Sequence, residues 1–265
     1  MAEGDTILRA ARRIGQALEG ERVEIGAPNP RGRAAGVERL DGMVLDRASA
    51  RGKHLLLGFG DLVLHSHLGM SGAWHVYEKD ATWRKPPGAA WAVLRGKRAE
   101  AVQFGGPTLR VLRADAVRRD PLLSRLGPDI LASGFDAATV VGSLLRAPDR
   151  SVADALLDQT LVAGIGNIFK SEACFAARQD PWQPLAELPA GQLQRVVQAA
   201  HDLMRDAADH GRHDRAVYRR AGRPCPNCAT PIASRGQGDA NRTTYWCPVC
   251  QASGGRSRLS SRRGG

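Results

Sequence analysis

Two Cys-x-x-Cys pairs near the C-terminus constrain the fold of this chain more than any other feature. Cys225 pairs with Cys228, Cys247 pairs with Cys250, and 18 residues separate the two pairs. Two residues between cysteines place both thiolates on one side of a tight turn, so two such turns can complete a tetrahedral four-sulfur shell around one zinc ion. The sequence therefore predicts a single structural Zn2+, whose closed shell leaves no position open for catalysis.

The segment between the cysteine pairs has the composition of a short β-hairpin. Thr243–Trp246 suits a strand, glycines and Asp239 suit the bends, and Arg242 is predicted to point outward at the tip. Such a module can serve as a folding staple or a protein-interaction module, or it can bind nucleic acid. The cysteine spacing alone does not separate these roles.

Positive charge is concentrated in the same part of the chain, and this charge favours nucleic acid. From Gly211 onward there are eleven arginines against two aspartates, which accounts for nine of the eleven net positive charges of the protein. A zinc module with this charge is most simply a clamp for a phosphate backbone. No apolar run approaches the roughly 20 residues that cross a bilayer, and the first residues are acidic where a signal peptide is basic. We therefore expect a cytoplasmic, nucleoid-associated protein with no membrane partner.

The 265 residues suffice for two domains of ordinary size. Apolar residues at helical spacing over 6–18 precede short strands of period two from about 22 to 113, and helical patterns follow. These helical patterns cover 136–146, 151–160, 167–177 and 190–210. The prediction is an α+β fold with a helix-flanked antiparallel β-sandwich (1–114), a connector (115–134), a helical domain (135–223), a zinc finger (224–251) and a basic disordered tail (252–265).

Gly164 and Gly166 stand two residues apart, directly before Asn167. Glycines at this spacing permit a tight double turn that leaves the N–H groups of the next helix free, and such a helix start binds anions. Asn167 could both cap this helix and contact a phosphate. An ordinary helical hairpin with glycines for packing is the alternative, and the residues by themselves favour it.

Five further motifs occur in a fixed order along nearly the whole chain: Glu3-Gly4, Arg51-Gly52-Lys53, His65–Gly72, Val162–Asn167 and Gly222–Cys225. Together with the four cysteines they resemble the formamidopyrimidine-DNA glycosylase and endonuclease VIII family of base-excision repair enzymes. Two more segments, 125–129 and 245–248, are closer to the endonuclease VIII branch. Each motif alone is weak, but the ordered set is specific.

The resemblance implies that the helical domain is a helix–two-turns–helix DNA-binding domain, and that DNA is gripped in the cleft between it and the β-sandwich. It also implies a bifunctional DNA glycosylase with DNA-(apurinic or apyrimidinic site) lyase activity. Such an enzyme acts as a monomer on double-stranded DNA that contains oxidised bases or abasic sites. In that family the mature N-terminal amine attacks C1′ of the damaged nucleotide, a Schiff base forms, the base leaves, and β,δ-elimination follows.

Four residues receive catalytic roles from the resemblance. The amine would be that of Ala2, Glu3 would be the acid/base residue, Lys53 would assist β-elimination, and Arg242 would grip phosphate and assist δ-elimination. An α-amine has a reference pKa near 8, so a useful fraction is neutral at physiological pH. Taken without the motifs, Glu3 is an acid favoured by a helix dipole and Lys53 is a solvated strand charge.

Three residues receive DNA-binding roles from the resemblance: Met70, Arg125 and Asn167. Met70 would occupy the space of the extruded base, and an ordinary core methionine is the alternative. The branch acting on oxidised purines carries an Arg-Arg-Phe-Gly wedge, whereas the nearest stretch here is Gln103–Gly106. The comparison favours oxidised pyrimidines as substrates.

Ala2 departs from the family, whose nucleophile is a proline at this position. The imine formed by a primary amine must be protonated to become an electron sink comparable to the iminium of proline, which is always charged. A lesion- or abasic-site-binding protein without excision activity is therefore the alternative function. Ala2 is compatible with natural divergence, with an engineered substitution, or with this non-cutting role.

Overall fold

The computed structural model describes residues 2–238 and 241–252, so the predictions for Asp239 and for residues 253–265 of the tail lie outside the described residues. The helices are Gly4–Leu18 (α1), Pro30–Ala34 (α2), Ala137–Leu144 (α3), Val152–Leu157 (α4), Asn167–Ala176 (α5) and Gln192–His210 (α6). The strands are Glu24–Gly26 (β1), Arg47–Arg51 (β2), His54–Phe59 (β3), Leu62–His67 (β4), Ala73–Glu78 (β5), Ala90–Arg95 (β6), Ala99–Phe104 (β7), Thr108–Arg113 (β8), Ala233–Gln237 (β9) and Arg242–Trp246 (β10).

The N-terminal part is a sandwich of two four-stranded antiparallel sheets, in the orders β1-β6-β7-β5 and β2-β3-β4-β8. Alternate residues of β3, Leu55, Leu57 and Phe59, are buried in the core because successive side chains of a strand point to opposite faces. Helix α1 adds its apolar stripe, which includes Ile7 and Ile14, to the same core. The predicted helix-flanked antiparallel sandwich is confirmed.

Helices α3 to α6 form the second part around a core of their own. Asp136 begins α3 by accepting the N–H groups of Ala138 and Thr139. Helix α4 ends at Leu157, three residues earlier than predicted, because the carboxylate of Asp158 accepts the N–H and hydroxyl of Thr160 and forms a turn instead. The C-terminal hairpin of β9 and β10 packs its own small cluster, which contains Cys225 and Cys247.

The predicted α+β architecture is therefore present, with helices segregated from the antiparallel sheets. Helix α1 joins the two parts, because it packs on the sandwich through one face and contacts α6 as well. Among the described residues no helix combines the length and the apolar character that a membrane crossing requires. The residue limits predicted for the individual domains stay a prediction.

Candidate active site

Glu3 directly precedes α1, and its side chain is buried against the start of α5. Its carboxylate oxygens accept the backbone N–H groups of Gly166 at 2.9 Å, Ile168 at 2.8 Å and Phe169 at 3.3 Å. These are three of the four N–H groups that the beginning of a helix leaves without a partner inside the helix. The negative carboxylate is also stabilised by the positive end of the helix dipole.

The start of α5 therefore differs from the prediction that its N–H groups are free. Glu3 takes three of them, and only the backbone N–H of Asn167 has no partner among the described residues. Asn167 is the first residue of α5 and does not cap it, because Gly166 occupies the capping position. Its side-chain Nδ2 instead donates to the carbonyl of Thr243 on β10 at 2.8 Å, and its buried Oδ1 has no hydrogen-bond partner.

The N-terminal segment lies against the loop between β4 and β5. The backbone nitrogen of Ala2 is 3.4 Å from the carbonyl oxygen of Gly69. Gly69 has φ of +57°, and a Cβ there would lie 2.8 Å from the ring of Pro107, so the tight loop requires glycine. The neighbouring Met70 is 63% exposed. Its interpretation as a core methionine is therefore wrong.

Lys53 lies in the turn between β2 and β3, and the connector holds this turn. The N–H of Gly52 donates to Asp129 Oδ2 at 2.7 Å, and Asp129 Oδ1 accepts the N–H of Leu131 at 2.9 Å. Gly52 has φ of +56°, and a Cβ on it would lie only 2.9 Å from the Cβ of Ala163. The turn is thus packed tightly on the loop before α5.

Burial moves the pKa values of Lys53 and Glu3 toward each other. Burial, opposed by the negative charge of Glu3 and assisted by the positive charge of Arg242, lowers the pKa of Lys53 to about 8. Burial likewise raises the pKa of Glu3, against the charge of Lys53 and the N–H groups of α5. Shifts in these directions make transfer of a proton between the two groups less unfavourable than it is between an exposed glutamate and an exposed lysine. Lys53 is half-buried in a turn, which differs from its interpretation as a solvated charge on a strand.

Arg242 is the first residue of β10 and is exposed. Contacts with α5 position this strand. Besides the contact of Asn167, the ammonium of Lys170 donates to Thr244 Oγ1 at 2.6 Å. Lys170 is completely buried, and burial lowers its pKa to about 8. No local pattern in the sequence distinguishes Lys170 from an ordinary solvated lysine on a helix, so its role was not predicted.

The structure brings most of the predicted site residues together. Lys53 is close enough to both Glu3 and Arg242 for their charges to shift its pKa. Ala2 contacts the carbonyl of Gly69, which is next to Met70 in the same loop. Arg125 is exposed in the connector and makes no hydrogen bond or ion pair with this group among the described residues.

The four predicted metal ligands also converge. The Sγ atoms of Cys225, Cys228, Cys247 and Cys250 all lie within 4.8 Å of one another. The Cys228–Cys247 and Cys225–Cys250 sulfur distances are 3.4 Å and 3.9 Å. A tetrahedron with metal–sulfur bonds of about 2.3 Å has edges of about 3.8 Å, so this group of thiols could hold a metal ion. Cys174 lies apart from them, buried in α5.

Gly166 offers a test of the contact between Glu3 and α5. A Cβ at this position would lie 2.3 Å from Cδ of Glu3, so the Gly166→Ala substitution must displace the carboxylate and leave buried N–H groups unpaired. We expect the variant to lose about 1–3 kcal/mol of unfolding free energy in urea denaturation.

Gly142→Ala is the matched control. Gly142 lies inside α3 with open space around its Cα, so alanine there is expected to stabilise the protein by up to about 1 kcal/mol. Equal stability of the Gly166→Ala variant and the unsubstituted protein would contradict the described geometry.

Comparison with known proteins agrees with this geometry. Residues 1–107 match the formamidopyrimidine-DNA glycosylase N-terminal domain, and residues 126–217 match the formamidopyrimidine-DNA glycosylase H2TH domain. The chain is 38% identical to the "Probable endonuclease 8 2" of Streptomyces coelicolor, covering 99% of this chain and 100% of that protein. It is 36% identical to the "DNA-(apurinic or apyrimidinic site) lyase Nei2" of Mycolicibacterium smegmatis, covering 95% and 99%.

Among solved structures, the chain resembles the formamidopyrimidine-DNA glycosylase of Lactococcus lactis in complex with DNA that contains an abasic site. The TM-score is 0.80 at 25% identity, and the match covers 95% of this chain and 100% of that one. Two matched domains in order and relatives aligned over nearly their full length lead to one conclusion. The chain belongs to the formamidopyrimidine-DNA glycosylase family.

Proposed function

We propose that this protein is a bifunctional DNA glycosylase and abasic-site lyase of base-excision repair, acting on double-stranded DNA. The observation that carries the proposal is the buried carboxylate of Glu3, held by the amides of α5 next to the N-terminal segment and the Lys53 turn. This arrangement supplies a proton carrier and a base beside a backbone nitrogen that becomes an α-amine when Met1 is removed. The relatives named as endonuclease 8 and as an abasic-site lyase support the same activity.

The first half of the proposed reaction replaces the bond between C1′ and the base. The neutral amine of Ala2 attacks C1′, the glycosidic bond breaks, and the base leaves with its electron pair and a proton. Opening of the sugar ring then gives an imine between C1′ and the amine. Because the pKa of Glu3 is raised by burial, its carboxyl group can donate protons at a higher pH than an exposed glutamate. The same group can keep the imine of a primary amine protonated. A protonated imine is an electron sink comparable to the iminium that proline would form.

The second half cleaves the DNA strand on both sides of the sugar. Lys53, whose pKa is about 8, removes the proton at C2′, and the 3′ phosphate leaves as the β-elimination product. Arg242 then stabilises the departing 5′ phosphate in δ-elimination, since its guanidinium is always charged and binds phosphate in a bidentate way. Hydrolysis of the imine releases the sugar remnant and the free amine.

Three residues are proposed to hold the DNA. Met70 is exposed beside the N-terminal segment and would fill the space that the extruded nucleotide leaves. Asn167 would contact a phosphate through its unpaired backbone N–H, because its side-chain Nδ2 is already bound to β10. The exposed Arg125 would bind the phosphate backbone from the connector.

The proposed preference is for oxidised pyrimidines. Phe104, the aromatic residue of the stretch that replaces the purine-branch wedge, is buried in a cluster with Val93 and Val102. A phenylalanine in that position supplies no wedge to a duplex. We further propose that the protein acts as a monomer in the cytoplasm, associated with the nucleoid.

The proposed metal is one structural zinc ion on the four cysteines. Their number, their thiolate chemistry and their mutual distances fit a tetrahedral four-sulfur site. Zinc bound there would stabilise the hairpin fold. The hairpin in turn holds Arg242 at the start of β10, and Asn167 and Lys170 connect that strand to α5.

Elemental analysis of the purified protein is expected to find one zinc per chain. The Cys247→Ser variant should lose the metal and unfold more easily, because a closed structural site contributes its binding free energy to folding. Cys174→Ala is the control, since Cys174 is not part of the cluster and its loss should leave one equivalent bound. A metal-free unsubstituted protein whose stability does not change in Cys247→Ser would refute the zinc site.

Borohydride reduction is expected to trap the protein covalently on DNA that contains an oxidised pyrimidine or an abasic site. Reduction captures only a Schiff base, and mass spectrometry should locate the adduct at residue 2. Strand nicking should leave phosphate at both ends of the gap. An adduct that forms only after Ala2→Pro would mean that the chain as it stands recognises damage without cutting. Absence of an adduct in both proteins would exclude the glycosylase.

The pH dependence of strand cleavage at an abasic site tests Lys53. The neutral form of a lysine with a pKa of about 8 increases as the pH rises from 7 to 9, so the cleavage rate should rise over this range. Lys53→Arg should remove this rise and slow cleavage about 100-fold, because an arginine stays protonated. Lys79→Arg, at an exposed site, is the control and should behave as the unsubstituted protein. If the rise persists in Lys53→Arg, it belongs to the N-terminal amine and Lys53 is not the base.

A further inference from the structure

Three histidines lie on the outer face of the sheet β2-β3-β4-β8, opposite the core leucines, and the proposed reaction uses none of them. His54 is paired directly with His67 across β3 and β4, and His65 lies next to them on β4. The ring centroid of His54 is 4.8 Å from that of His67 and 5.0 Å from that of His65. His54 immediately follows Lys53 in the chain.

A series of hydrogen bonds connects the rings of His54 and His65 to the connector. His54 Nδ1 and His65 Nε2 are 2.8 Å apart, and Arg110 Nε donates to His65 Nδ1 at 3.0 Å. The guanidinium of Arg110 also donates to Asp120 Oδ1 at 2.7 Å. Asp120 is fixed in turn, because it accepts the N–H of Leu122 at 3.1 Å. The series thus begins at a firmly held carboxylate.

The donor-to-acceptor direction of these hydrogen bonds determines which nitrogen of each imidazole carries the hydrogen. An arginine Nε can only donate, so His65 Nδ1 must be the acceptor, and a neutral His65 then carries its hydrogen on Nε2. That hydrogen points to His54 Nδ1, which is therefore an acceptor as well. A neutral His54 must carry its own hydrogen on Nε2.

Both rings are neutral at physiological pH. Burial lowers the pKa of His54 to about 3, with the neighbouring histidines and Arg110 acting in the same direction against Asp120. Burial and the charge of Arg110 lower the pKa of His65 to about 4. A second cation beside Arg110 and near Lys53 is unfavourable, so His54 and His65 both stay neutral. In this state the Nε2–H of His54 is the one donor of the two rings that is not used within the hydrogen-bond series.

The remaining donor is not fully enclosed, although His54 as a whole is only 9% exposed. His54 Nε2 has no hydrogen-bond partner among the described residues, and it is not one of the enclosed side-chain atoms that lack a partner. Its ring adjoins His67, which is close enough to Lys53 for that charge to lower its pKa. The open N–H is therefore at the edge of the site that Lys53 occupies.

We propose that His54 is a neutral hydrogen-bond donor to a backbone phosphate of DNA next to the reacting nucleotide, with its Nε2–H form fixed by the hydrogen-bond series from Asp120 through Arg110 and His65. The proposal rests on the proposed function, because it requires DNA at the Lys53 turn. Phosphate oxygens are acceptors only, so the fixed N–H is always in the form that binds them. A neutral donor also adds no cation next to Lys53.

The hydrogen-bond series from Asp120 to His54 can be tested without DNA. In the 15N-histidine-labelled protein, heteronuclear NMR at pH 7 should show His54 and His65 as the Nε2–H form. The His65→Phe variant should leave His54 as a mixture of both neutral forms, because Nδ1 then lacks its donor. A protonated His54, or one that carries its hydrogen on Nδ1 in the unsubstituted protein, would overturn the proposal.

Binding to an abasic-site duplex tests the contact. His54→Phe keeps a ring but removes the donor, and we expect about tenfold weaker binding. His54→Gln places an amide N–H near the position of Nε2 and should restore most of the affinity. Because a neutral donor releases no counterion, the slope of log affinity against log salt should stay unchanged in His54→Phe, whereas Arg242→Ala should reduce it by about 0.9.

Each other result overturns the proposal in a recognisable way. Unchanged affinity in His54→Phe, or equal weakening in His54→Phe and His54→Gln, means that the N–H makes no contact. A reduced salt slope in His54→Phe means that the imidazole binds as a cation. If the unsubstituted protein binds no damaged DNA and forms no borohydride adduct, the proposed function fails and this inference fails with it. Normal trapping together with unaltered His54 variants refutes the inference alone.

Discussion

The rest of the site depends on one interaction, the carboxylate of Glu3 on the open N–H groups of α5. It joins the two parts of the fold at the candidate active site, because Glu3 precedes the first helix of the β-sandwich part and α5 belongs to the helical part. The buried negative charge is tolerated since three amides and the dipole of α5 compensate it. It also limits how far the pKa of Lys53 falls, because the two charges attract each other.

Local patterns in the sequence predicted much of the fold. The alternation in β3 and β4, the apolar stripe of α1 and the paired cysteines each depend on neighbours within a few residues, and all three agree with the structure. Helix ends were predicted less well. Asp158 ends α4 early by capturing Thr160, and this competition between side chain and backbone is not visible in apolar periodicity.

Contacts between distant residues could not be predicted from such patterns. The anion at the start of α5 is Glu3, which is 163 residues away in the sequence. The glycine spacing left open both an anion-binding helix start and an ordinary helical hairpin, and it carried no information about an internal carboxylate. Capping of α5 was one of the roles open to Asn167, and its amide instead donates to the carbonyl of Thr243. The role of His54 is likewise invisible without the strand register that places it beside His67.

The pairing of Lys170 with Thr244 limits how this protein can exchange parts with its relatives. The ammonium is completely enclosed, and the hydroxyl that accepts its hydrogen bond belongs to the hairpin of β9 and β10. A hairpin grafted from a protein with an apolar residue in place of Thr244 would leave that ammonium without an acceptor, at a cost of several kcal/mol. Helix α5 and the hairpin therefore have to be exchanged together, and a functional chimera has to take both from the same parent protein.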